Sequence, residues 1–177
     1  MRDSVRKKMV EKARDLLFTM NYDEITMNLV ATELGITAPT LYHYFKCKEE
    51  MITAGYDLIT FEINDIPNIR FPSSMPPDMR IMTITGLVTD YFIKTEIPVL
   101  FLVENVHDKP IDLTAFRKKM EEMIEAYLKK SKKKIKVSIE EITYRYLGIL
   151  ASDIAYLRKN KQQPVENFSE KVFAALF

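Results

Sequence analysis

Apolar residues recur at spacings of three and four through most of the chain, and such spacing marks helices that bury one face. Val5, Met9, Ala13, Leu16, Leu17 and Met20 draw the first stripe. They predict a helix from about Asp3 to Met20, with Asp3 or Ser4 as its cap. Asn21-Tyr22-Asp23-Glu24 interrupts the pattern as a turn. Met27, Val30, Ala31 and Leu34 form a second stripe, opened by Thr26 as N-cap and closed by Gly35 as a left-handed residue just past the helix end. A third helix starts at Thr37. It carries Pro39 in its first turn, where a missing N–H costs little, and points Leu41 and Phe45 inward. Lys46-Cys47 is a short joint, and Lys48 opens a fourth helix reaching about Asn64.

Pro67, Pro72, Pro76 and Pro77 forbid a continuous helix across the next stretch, which reads as a linker or loop. Ile81, Ile84, Leu87, Val88 and Tyr91 restart the helical period, and Pro98 ends it near Glu96. Leu100 to Val106 reads as a further helix. Another begins at Asp112 or Thr114 and turns Phe116, Met120, Met123, Ile124 and Tyr127 inward. Ser138-Ile139-Glu140-Glu141 is a capping box that starts a long helix to about Asn160. Lys161-Gln162-Gln163-Pro164 is a turn, and Val165 to Leu176 is the last helix. No strand or internal repeat emerges. The expected fold is all-α, with about nine helices, divided into residues 1–48 and 49–177.

Composition changes this picture little. With 177 residues, nearly half of them hydrophobic, a substantial core is possible, and four glycines suit a helix-rich chain. Up to Glu50, eight basic residues (Arg2, Arg6, Lys7, Lys8, Lys12, Arg14, Lys46, Lys48) face eight acidic ones (Asp3, Glu11, Asp15, Asp23, Glu24, Glu33, Glu49, Glu50). A bulk basic patch is therefore no argument for nucleic-acid binding, and individual positions must carry it. The single Cys47 allows no internal disulfide. The N-terminal segment has no apolar stretch of signal-peptide type, and no apolar run is long enough to span a bilayer, so a cytoplasmic location is expected.

The chemistry concentrates in Thr26–Lys48. Two short helices joined by a glycine turn make a helix-turn-helix. A helix that enters a DNA groove needs small or polar groups at its entry end, and Thr37, Ala38, Pro39 and Thr40 provide them. Thr40 can hydrogen-bond a base edge, with its methyl against a thymine methyl. Tyr42, His43 and Tyr44 can reach phosphates with their polar tips. Thr26, Lys46 and Lys48 lie at or beside helix starts suited to phosphate.

Thr26, Val30-Ala31, Gly35-Ile36-Thr37, Thr40-Leu41-Tyr42, Phe45 and Lys48-Glu49 follow an order that resembles the N-terminal pattern of the TetR family over residues 3–52 or so. Leu34, Ile36 and Thr37 are mild departures. The resemblance implies a homodimeric transcriptional regulator, most often a repressor, that binds a palindromic operator in double-stranded DNA. It also implies a larger helical domain for dimerisation and for a small apolar or amphipathic effector. On that basis Met82, Phe92, Phe101, Phe116, Met120, Met123 and Tyr144 are pocket candidates, together with Met75 and Met79. Tyr146, Ile149, Leu150, Ile154, Leu157, Phe168 and Val172 are candidates for the dimer seam.

Other features point elsewhere less strongly. The six lysines between Lys129 and Lys136 read as a solvated helix end, with an acidic partner as the alternative. Cys47 reads as a bystander thiol rather than a sensor. His107-Asp108 is too sparse for a metal site. No Ser-His-Asp set or phosphate-binding glycine loop can be assembled, so neither enzyme activity nor a cofactor is expected. The rival reading is a helical protein-interaction module without DNA binding. It would keep Leu41 and Phe45 but has no need of Thr40, Tyr42 and Lys48.

Overall fold

Most of the apolar stripes become helices with a buried face, although Val5 and Leu87, placed inward by the spacing, are exposed. The computed structural model describes residues 2–95, 97–103, 111–132 and 136–176. Among them are eight α-helices: α1 (Arg2–Leu17), α2 (Met27–Glu33), α3 (Ala38–Tyr42), α4 (Lys48–Asp65), α5 (Pro77–Ile93), α6 (Thr114–Ser131), α7 (Ile139–Lys159) and α8 (Phe168–Ala174). Three single 3-10 turns, at Tyr22–Glu24, Ile66–Asn68 and Val99–Leu102, complete the set, and the described residues contain no strand. The helix expected over Leu100–Val106 is thus a 3-10 turn as far as Val103, and the remainder of that stretch lies outside the described residues. α1 begins a residue before either expected cap, so Asp3 lies in its first turn, where a carboxylate favours the helix dipole.

The chain forms two compact units, the first built on residues up to Glu62 and the second on residues from Ile63 onward, with Thr95, Ile97 and Ile111 returning to the first. In the first unit Met9, Ala13, Ile25, Val30, Leu41, Phe45, Met51 and Ile59 are buried. Gly55 lies where α4 crosses α1. A Cβ there would come within 3.1 Å of Leu17 Cδ1 and 3.3 Å of the Arg14 backbone nitrogen, so a larger residue would need α1 to give by a few tenths of an ångström. Arg14 fastens the crossing with an ion pair to Glu62.

In the second unit α5 packs against α6, α7 and α8. Ile81, Ile84, Val88 and Phe92 of α5 meet a core that also contains Phe116, Met120 and Ile124 of α6 and Leu147, Leu150 and Ile154 of α7, all buried. Polar groups are buried in this core too, among them Thr85, Thr89, Thr143 and the Tyr146 hydroxyl. The Tyr146 hydroxyl is hydrogen-bonded to Thr85, whose own hydroxyl donates to the Ile81 carbonyl at 2.8 Å. Burial pushes the Tyr146 phenol up to about 12, and the Thr85 hydrogen bond works in the opposite direction. Arg158 reaches back from the end of α7 to donate its Nε to the Phe92 carbonyl at 2.7 Å, which satisfies an orphan carbonyl at the end of α5.

Caps explain most of the helix ends. Ser138 accepts from the Glu141 N–H at 3.1 Å, while the Glu141 carboxylate pairs with Arg145 instead of closing the box. Asp112 accepts the Thr114 N–H at 2.8 Å at the start of α6, and the Thr114 hydroxyl first, then this N–H, hold its carboxyl below the ordinary value. Lys132 (φ 55°) ends α6 in a left-handed conformation that costs a residue with a Cβ.

Candidate nucleic-acid interface

The joint between α2 and α3 fixes the site. Thr26 caps α2 by accepting the Leu29 N–H at 3.1 Å. At the other end Gly35 takes φ +65°, the left-handed value that favours glycine. The Gly35 N–H then reaches the Thr32 carbonyl at 3.0 Å and the Ile36 N–H reaches Ala31 at 2.9 Å. Both bonds belong to a Schellman ending, which stops α2 and turns the chain into α3 with no spare residue. Leu41 and Phe45 are fully buried beneath α3 and anchor it.

The opposite face of α3 is open. Thr26, Thr37, Pro39, Thr40, Tyr42, His43 and Lys46 are exposed, and Ala38, Tyr44 and Lys48 are partly so. Thr37 occupies the N-cap position of α3 but makes no side-chain bond to the backbone. Its hydroxyl lies 2.9 Å from that of Thr40 instead. The His43 and Tyr44 rings meet edge to face at 5.7 Å.

Charge around this face is sorted by local pairing. Glu11 pairs with Lys7, Glu33 with Lys12 and Asp15 with Arg14. Glu24 accepts the Asn21 N–H, and Glu50 accepts the Lys46 N–H at 2.7 Å. Glu49 is held below the ordinary carboxyl value, first by its own backbone N–H and then by the Cys47 thiol and the Tyr22 hydroxyl. Lys48 leans onto the Tyr22 turn, with its Nζ 2.5 Å from the Tyr22 carbonyl oxygen and 3.9 Å from the ring centre. Arg6 lies over the Phe45 ring at 4.9 Å. Among the described residues the Lys8 and Lys46 ammonium groups have no carboxylate partner. Up to Glu50 the charges balance in sum, yet most of the carboxylates there are engaged while several cations face solvent or rings.

The candidates in the second unit do not converge on one place. Phe92, Phe101, Phe116 and Met120 are buried. Met123 lines one surface cleft, Met82 a second beside Glu166 and Glu170, and Tyr144 a third beside Arg117. Tyr146, Leu150, Ile154, Leu157 and Val172 are buried within the protomer, whereas Ile149 and Phe168 are partly exposed. Ile149 shares a face of α7 with exposed Ser152 and Tyr156, which sequence reasoning did not single out. His107 and Asp108, and residues 133–135 of the lysine run, lie outside the described residues. No group of three metal-ligating side chains occurs among the described residues. No helix among them is long and apolar enough to cross a membrane.

A glycine-turned helix pair that buries Leu41 and Phe45 and presents hydroxyl and small groups at the start of its second helix has the architecture of a helix-turn-helix. Residues 10–54 match the family model described as "Bacterial regulatory proteins, tetR family". Solved structures agree in fold along nearly the whole chain. A tetR-family transcriptional regulator from Streptomyces coelicolor superposes with TM-score 0.68 at 19% identity, over 98% of this chain and 80% of that one. The transcriptional regulator FadR from Bacillus subtilis, solved with stearoyl-CoA, gives 0.74 at 11% identity over 96% of each chain. AmtR from Mycobacterium smegmatis gives 0.64 at 16% identity, over 97% and 85%. No curated protein matches the chain in sequence. Residues 10–54 are thus similar to the N-terminal domain of the tetR family, and the chain as a whole shares the fold of the solved tetR-family regulators.

Proposed function

We propose that this protein is a homodimeric, ligand-responsive repressor whose two heads (residues 1–48) bind successive major grooves of a palindromic operator. The observation that carries the reading is the open face of α3, with Thr37, Ala38, Pro39 and Thr40 at its entry and no carboxylate among them. Those four residues meet base edges. Tyr42, His43, Tyr44, Lys46, Lys48 and Thr26 meet the sugar-phosphate backbone and set the register. The helical body (residues 49–177) joins two copies through α7 and α8. Ile149, Ser152, Tyr156 and Phe168 are among the side chains of those helices at least partly open to that contact.

An effector acts by preferring one conformation of the body. It shifts operator occupancy only by the ratio of its affinities for the two conformations. That FadR was solved with stearoyl-CoA supports a body of this fold as a ligand holder. The protein works without catalysis and in the cytoplasm, where its operator is.

Fluorescence anisotropy on DNA from upstream of the protein's own gene tests this reading. The wild-type chain is expected to bind tightly and with steep salt dependence. A Thr40→Ala/Tyr42→Ala variant is expected to lose about 2 kcal/mol or more of operator affinity, roughly one good base contact and one backbone contact. Retention of full affinity by that variant removes α3 as the reading helix. Absence of binding there and in a random DNA pool favours a protein-interaction module.

A further inference from the structure

The second unit contains a surface cleft of about 400 Å³, within the size range of small-molecule sites. Its walls come from the segment after α4, the start of α5 and the middle of α6. Ile69, Phe71 and Met123 supply apolar surface, and Arg80, Lys119 and Glu122 supply charge. Lys119 and Glu122 lie 3.0 Å apart and cancel one another at the rim.

Arg80 is left as the net charge of the cleft. It is partly buried, and its Nε donates to the Met75 carbonyl at 3.0 Å. Its Nη2 donates to the Pro72 and Ser73 carbonyls at 3.2 and 3.4 Å. The guanidinium carbon lies 5.8 Å from the centre of the Phe71 ring. Neutral carbonyls fix the position of the guanidinium but leave its charge uncompensated. Among the described residues no carboxylate comes within ion-pair distance of Arg80, and neither N–H of Nη1 has an acceptor. A cation held rigid at the edge of an apolar cleft, with two donors unspent, is arranged to meet an oxyanion with little further ordering.

We propose that this cleft binds a small organic carboxylate, its apolar body against Phe71, Ile69 and Met123 and its carboxylate on Arg80 Nη1. The proposal rests on the regulator reading for its purpose, since such a ligand would be the effector, but the binding itself is measured separately.

Titration calorimetry on the full chain tests it with 2-naphthoate and decanoate as probes and 2-naphthalenemethanol as the neutral counterpart. At least one carboxylate is expected to bind ten times or more tighter than the alcohol. Arg80→Gln is expected to abolish that preference. Because Arg80 also holds the 72–75 loop, Ala126→Trp serves as the second variant. Ala126 is exposed on α6, and the added ring fills the cleft without touching any bond of Arg80. It is expected to weaken the carboxylate tenfold or more while leaving the melting curve unchanged. Lack of binding by both carboxylates, equal binding of acid and alcohol, or unchanged affinity in Ala126→Trp overturns the proposal. Operator anisotropy on the same samples, without probe, separates the two readings. Intact DNA binding with no carboxylate binding sinks the cleft alone, and the converse sinks the regulator alone.

Discussion

Tyr146 shows how one hydroxyl shapes the second unit. It is fully buried, and its oxygen meets the Thr85 hydroxyl. Tyr146→Phe keeps the ring and removes the bond, and Thr85 still donates to Ile81. The expected loss is about 1 kcal/mol of unfolding free energy, the net worth of one such bond, read by denaturant melts. The pH consequence has a definite sign. The folded phenol titrates near 12, above the ordinary 10, so its contribution is complete below pH 10 and is lost between about 10 and 12. An alkaline unfolding step present in the wild type and missing in Tyr146→Phe would verify it. Tyr146 also marks a limit of periodicity. The same spacing that made it a seam candidate is satisfied by the protomer's own α5, and a stripe does not say which surface covers it.

At the scale of elements, the ends of helices were more legible than their partners. Thr26 and Gly35 act where the sequence places them because caps are local, set by residues within one turn. Leu100–Val106 was less legible. A short apolar run after Pro98 fits a helix or a tight turn equally well, and packing selected the turn at Val99–Leu102. Thr37 is between these cases. Its place at the N-cap was readable, but its preference for the Thr40 hydroxyl over a backbone N–H was not. Two left-handed positions give opposite expectations. Gly35→Ala forces a Cβ onto φ +65° and is expected to cost about 1 kcal/mol or slightly more. Lys132→Gly removes the same penalty at the end of α6 and is expected to stabilise by about 0.5–1 kcal/mol. Thermal melts of the two variants moving in the same direction would refute this account.

For the whole molecule, net charge is a poor guide and local pairing a better one. The cations free to meet phosphate are few, and each contributes about 0.9 to the slope of log affinity against log salt. Lys46→Ala is expected to lower that slope by about 1 per head while leaving the preference among DNA sequences unchanged. Anisotropy titrations over a salt series on two operators check both halves. Counted through Glu49 and Glu50, which directly follow it, the head's eight basic and eight acidic residues balance, so at a distance it behaves as a dipole, whose field fades faster than that of a net charge. Such a head is not drawn to DNA from afar. On the proposed function it would meet the duplex by ordinary diffusion and be oriented within the last Debye length. Added salt should therefore shorten the time the protein stays on its operator far more than it slows arrival there.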